Sequence, residues 1–237
     1  TQELSAEPAV HEFNHAITHE VAYESQPHAG RARLHTALGR YLEREVATAA
    51  EPHLDLLAYH YSLGDDEAKA RTYLGAAGAA AKAAYANEAA LSYLGRLLEL
   101  QSGEERLPTL LQLGETAMFV GAYGQAETYL QEARELAEGS EGLEPMQGVA
   151  LRLLGELRER QGDYVGARGL LEAAASRCRA LGDGAELTRV LLALGGNVLW
   201  HLGEYDTAEA QLEEAVTLAR AAGDARSAAR ALHGAAN

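Results

Sequence analysis

The chain has 237 residues, a net charge of −15, and 47% hydrophobic but only 6% aromatic residues. So acidic a balance argues against a nucleic-acid surface, which needs a basic stripe. The single cysteine, Cys178, excludes an internal disulfide and fits a reducing, cytoplasmic setting. No apolar run approaches the ~18 residues of a membrane span, and a core so poor in aromatics must be built from alanine and leucine in closely packed helices.

Residues 1–8 read as a lead-in. The spacing of Phe13, Ile17 and Val21 predicts a helix over 9–25, closed by Pro27, and Leu34, Leu38 and Leu42 predict a second over 30–50. Pro52 opens a third helix over 54–63. Two more follow over 66–83 and 86–100, with Ala70, Leu74, Ala77, Ala90, Leu94 and Leu97 on their packing stripes.

From about residue 107 the chain repeats itself. Gly114, Gly155 and Gly196 are 41 residues apart. The same offset relates Gly121, Gly162 and Gly203, then Tyr123, Tyr164 and Tyr205. It also relates Ala126, Ala167 and Ala208, Leu130, Leu171 and Leu212, and Ala133, Ala174 and Ala215. Each unit holds two amphipathic stripes separated by a glycine suited to a left-handed helix end, so each is a helix hairpin that buries its faces only by stacking on neighbours. Gly78 relates to Gly114 at an offset of 36, which makes the preceding repeat degenerate. After Gly223, residues 225–237 form a partial terminal repeat.

This pattern of an apolar residue before Leu-Gly, a turn glycine, an aromatic and two later alanines resembles the tetratricopeptide repeat (TPR). The resemblance implies an all-α, right-handed superhelix of antiparallel helix pairs, here with longer helices than the usual repeat of about 34 residues. Glu138, Arg179 and Arg220 stand where that family often has proline. A second resemblance rests on residues 12–25 (EFNHAITHEVAYES), 31–35 (RARLH), 57–60 (LAYH) and 70–78 (ARTYLGAAG). Together these are similar to the segment that follows the ATPase and winged-helix part of large bacterial STAND/AAA-type regulators, of the adenylate cyclase-linked or transcriptional-regulator kind. On that basis residues 1–52 are expected to be a helical connector and 53–237 the TPR-like repeats, degenerate to about 104 and regular over 107–222. The chain is then expected to be an excised sensor or scaffold part of a multidomain signalling protein.

His11, Glu12 and His15 match the H-E-x-x-H zinc-peptidase pattern, and His19 adds an imidazole at helical spacing. Thr18 stands where an extended version of that pattern needs glycine, so the residues are read as helix-packing groups, with no metal, no cofactor and no catalysis expected. There is no G-x-x-x-x-G-K-[ST] loop. Cys178, between Arg177 and Arg179, is expected to be an inert thiol.

Counting from the packing positions Leu110, Gly114, Leu151, Gly155, Leu192 and Gly196, the inward stripe of the first helices contains Glu115, Met118, Phe119, Arg152, Glu156, Glu159, Arg160, Asn197, Trp200 and His201. The expected function is a non-catalytic scaffold. Its groove would dock a protein or peptide, including another domain of the same polypeptide, with no nucleic acid or membrane. The alternative is a small-molecule sensor that controls an attached ATPase, cyclase or DNA-binding domain. Glu115 and Glu156 favour a mixed or basic ligand over an acidic C-terminus. Trp200 is either the centre of that site or a core residue.

Overall fold

A computed structural model describes residues 16–46, 53–138 and 140–235, with side chains over 20–44, 53–138 and 140–235. Every regular element among the described residues is helical. The chain forms two compact units, 1–74 and 75–237, which divide inside one helix.

The first unit contains α1 (Ala16–Glu24), α2 (His28–Val46), α3 (Leu54–Ser62) and the start of α4 (Glu67–Ala83). Most of the leucine stripe expected to pack α2 faces outward instead: Leu34 is 63% exposed and Leu38 42%, while Leu42 is half-buried, and Val21 of α1 is exposed at 63%. The buried stripe of α2 is Ala32, His35, Thr36 and Gly39. Gly39 explains the choice. A Cβ there would lie 2.9 Å from the Tyr61 ring, so only a small-residue face lets this buried tyrosine seat itself. The Tyr61 hydroxyl donates to Glu43 Oε2 at 2.8 Å, and its ring stacks on Tyr73 at 5.3 Å. Partial burial pushes the Glu43 carboxyl up, but hydrogen bonds from Lys69, Tyr73 and Tyr61 outweigh it and hold the pKa below the ordinary carboxylate range.

In the second unit, the end of α4 meets α5 (Asn87–Glu99) where Gly78 faces Leu94, and α6 (Arg106–Phe119) pairs with α7 (Tyr123–Glu138). Next come α8 (Glu144–Arg160) and α9 (Tyr164–Leu181), and then a broken first helix. This helix comprises α10 (Gly184–Ala193), a π-helical turn (Leu194–Val198) and α11 (Leu199–His201), and it packs on α12 (Tyr205–Ala221). α13 (Ala225–Ala235) packs on α12. This is a TPR-like superhelical stack of extended helix pairs. The repeat residues predicted to pack do so: Ala126, Leu130, Ala133, Ala167, Leu171, Ala174, Ala208, Leu212 and Ala215 are all essentially inaccessible. Gly114 and Gly155 face Leu130 and Leu171 so closely that an added Cβ would lie 2.4 Å and 2.7 Å from them.

The third pair departs from the expected register. A Cβ on Gly196 would meet nothing within 4 Å, whereas one on Gly195 would lie 2.9 Å from the Ala208 carbonyl and 3.0 Å from Leu212 Cγ. The packing glycine is therefore Gly195, and Gly196 is not. The π turn supplies the reason: the Leu199 amide reaches back five residues to the Leu194 carbonyl, which absorbs one residue and restores the 41-residue spacing by Gly203.

The turns between paired helices repeat one geometry. Gly121, Gly162 and Gly203 have φ of 75°, 82° and 75°, and the amide three residues past each helix end closes back on the carbonyl five residues earlier, as in Asp163 N to Arg158 O at 2.9 Å. The α4–α5 turn makes the same bonds, Tyr85 N to Lys82 O at 3.1 Å and Ala86 N to Ala81 O at 2.9 Å. Here, however, the left-handed position is Tyr85, with φ 59°. A side chain at such a position costs roughly 1–3 kcal/mol relative to relaxed backbone.

Candidate functional site

Because alanine and leucine stripes consume the paired faces, each first helix turns its remaining polar face toward a shared concavity. In the second unit this concavity is a trough of about 890 Å³. α6, α8, the broken α10 helix and α13 all contribute to its lining, with Leu212 from α12. Of the predicted stripe, Glu115, Phe119, Arg152, Glu156, Glu159, Arg160 and Asn197 line it. Asn197 is exposed in the π turn and has no counterpart in the other pairs.

Three predicted residues lie elsewhere. Met118 is 3% exposed and belongs to the core. Trp200 is half-buried, packs against the core cluster of α9–α12 and sits 4.8 Å from the Tyr205 ring. His201 stacks on Tyr164 at 4.2 Å and hydrogen-bonds through Nδ1 to its own helix at Asn197 O, 2.8 Å away. The π turn rotates the last helical turn relative to α8, and the stripe count missed this shift.

Counting also missed Arg189, Leu192 and Gly196 on the broken helix, and Ser227, Arg230 and His233 on α13. α13 could have been found by extending the first-helix stripe into the partial repeat. Glu186 could not. It is 2% exposed and lies beneath the trough, accepting from Arg152 Nε at 2.5 Å and from Arg189 at 2.6 Å. Its place follows from a cap: the Asp183 side chain accepts from the Glu186 amide at 3.0 Å, starting α10 in the register that puts Glu186 under Arg152. Arg152 also donates to Glu156 at 2.6 Å. Burial opposes its charge, but Glu156 and Glu186 overcome that and push its pKa further above the ordinary arginine value.

Glu115 is held by Lys82 of α4, and the Arg160 guanidinium stands 5.8 Å from the centre of the Phe119 ring. The two glutamates that favoured a basic ligand are thus both paired with cations of the protein itself.

The histidines of the H-E-x-x-H pattern, His11 and His15, lie with Glu12 outside the described residues, as does the side chain of His19. Among the described residues no group of three metal-ligating side chains occurs, and no helix is long and apolar enough to cross a membrane. Cys178 is buried, and its burial, with Glu186 and Asp183 nearby, pushes the thiol up to about 11 despite Arg152.

Stacked helix pairs with glycine–leucine contacts, glycine turns and a polar trough along the first helices define a TPR-type scaffold, and the tetratricopeptide-repeat family model matches residues 105–180 and 146–221. These overlapping matches take in the three regular pairs. Among solved structures, aspartyl phosphate phosphatase F from Bacillus subtilis superposes with a TM-score of 0.69 at 14% identity over 92% of this chain. A Rap protein complexed with competence and sporulation factor gives 0.59 at 17% over 85%. The chain spans 57% of the length of each. A putative kinesin light chain from Podospora anserina with nearly identical TPR-like repeats gives 0.60 at 16% identity, over 84% of this chain and 99% of that one. At these identities the likeness is one of fold. No curated protein matches the sequence.

Proposed function

We propose that this chain is a non-catalytic docking module whose trough takes an extended segment of a peptide or protein, including one from another domain of the same polypeptide. The observation that carries the reading is the trough itself. Its polar groups are held in place before any ligand arrives, by a chain of ion pairs from Glu156 through Arg152 and Glu186 to Arg189. Fixed polar groups bind with less loss of side-chain freedom than flexible ones. Asn197 adds an exposed amide able to donate and accept, which suits an extended backbone. The Rap protein structure, solved with competence and sporulation factor bound, supports such a use of this fold.

Panning a random peptide display library against the immobilised chain tests the reading. Enriched peptides should bind in the micromolar range and lose at least about tenfold in affinity in Arg160→Ala and Asn197→Ala. Melting should barely move in either, because both side chains are exposed. Peptides that bind both variants as well as the parent would place the site elsewhere. Stabilisation by a metabolite panel without peptide enrichment would favour a small-molecule sensor.

The wider setting, a regulatory module behind an ATPase of a signalling protein with residues 1–52 as connector, rests on the resemblance over the N-terminal hundred residues. A nucleotide-binding motif encoded upstream of Thr1 would support it, and an unrelated upstream sequence would count against it.

A further inference from the structure

Tyr85 is the one non-glycine residue among the described residues with positive φ, and it occupies the turn position held by Gly121, Gly162 and Gly203 in the three regular pairs. Its side chain is 81% exposed, and among the described residues it has no hydrogen-bond or ring partner. A strained aromatic left this exposed points to a role outside the fold. Tyr85 walls an apolar cleft of about 380 Å³ with Ala79, Ala83 and Phe119. Phe119, 57% exposed, also lines the trough, so cleft and trough meet at its ring.

The charges along this path are uneven. Four arginines and three glutamates line the trough of a chain whose net charge is −15. Glu115 and Glu156 are neutralised by Lys82 and Arg152, and the buried Glu186 by Arg152 and Arg189. Among the described residues Arg160 and Arg230 have no acidic partner, and only Glu159 opposes them. What remains for a ligand is cationic, and it begins at Phe119, where Arg160 stands over the ring.

We propose that the Tyr85–Phe119 cleft receives an aromatic side chain of an extended acidic peptide whose carboxylates run along the trough past Arg160 toward Arg230. This deepens the docking reading and rests on it. Tyr85 and Phe119 supply the apolar anchor site, which sets the register of the peptide. The arginines choose its charge.

Fluorescence anisotropy with three amidated decapeptides tests this on the whole chain. The first is built of Asp, Glu and Ser around one Phe, the second has Ala for the Phe, and the third has Lys for every acid. The first should bind about tenfold or more tighter than either of the others, and should weaken as salt rises. Tyr85→Gly should reduce its affinity to that of the Ala peptide while melting at the same or a higher temperature, since it removes the strain. Arg160→Gln should erase the preference for acid over Lys. Equal binding of the Phe and Ala peptides, tighter binding of the Lys peptide, or no effect of Tyr85→Gly overturns the proposal. If library-selected peptides still depend on Asn197 in that event, the trough reading stands and only its acidic, aromatic ligand falls. If no peptide of any kind binds, both fall.

Discussion

Arg152 and Glu186 are charged side chains that the stack of the second unit buries, at 8% and 2% exposed. Removing one partner of such a pair leaves an uncompensated charge and costs roughly 3–5 kcal/mol, whereas replacing both with apolar residues of similar volume is often neutral. Arg152→Met and Glu186→Met should therefore each lower the urea midpoint sharply, and the double variant should recover most of the loss. Equal additive losses would mean that the two side chains do not act as a pair. Cys178 belongs to the same neighbourhood and is 2% exposed. With its pKa pushed up to about 11, it should resist alkylation by iodoacetamide at pH 8 until the protein is denatured. Rapid labelling of the folded chain would show that the α8–α9 contact opens readily.

At the level of the element, the broken first helix makes the sharpest test of register. Gly195 faces the Ala208 carbonyl and Leu212, while Gly196 faces open space. Gly195→Ala forces a methyl into backbone and should cost about 1–3 kcal/mol. Gly196→Ala meets no atom and should be neutral or stabilising by up to about 1 kcal/mol, as a half-buried glycine with room for a methyl is replaced by a better helix former. Thermal melts of the two variants check this, and the reverse order would restore the uninterrupted 41-residue alignment. Trp200→Ala belongs with them. Since Trp200 packs on the core cluster and Tyr205 rather than lining the trough, its loss should cost stability, toward the low end of the ~3–5 kcal/mol of deleted core aromatics. Peptide affinity should change less than in Asn197→Ala.

The whole molecule should respond to acid unevenly. In the first unit, His35 and His60 share a hydrogen bond between their Nδ1 atoms at 2.9 Å, and His35 Nε2 meets the Tyr23 hydroxyl at 2.9 Å. Burial lowers the pKa of both below 6.5, with Arg31 adding to the effect on His35 and His35 to that on His60. The fold thus favours the neutral rings. Their contribution is fully present above pH 6.5 and is lost as pH falls below it, because the unfolded chain then binds protons that the folded chain resists. Amide exchange in α2 and α3, corrected for intrinsic rates, should accelerate between pH 7 and 5, while α8 and α9 change little. His60→Asn should flatten that dependence, and a uniform response of both units would refute it.

The sequence by itself determined the parts of this protein that depend on local chemistry repeated in register. The recurring Leu-Gly, Ala and turn-Gly positions name the helix pairs, their ends and most of their buried residues, because a helix hairpin buries the same stripe whenever the same stripe recurs. They also locate most of the trough, as the face left over. Tertiary structure decided what depends on a neighbour. Leu34 and Leu38 of α2 face outward because Tyr61 of α3 needs the glycine face opposite them. Gly195 rather than Gly196 packs because a π turn takes up one residue, and a fixed 41-residue count selects Gly196 without registering that insertion. The charge of the trough changed most. Glu115 and Glu156 read as an acidic surface in one dimension, but Lys82 and Arg152 neutralise them in three. An ion pair between helices depends on how those helices cross, and no periodicity along a single chain encodes that crossing.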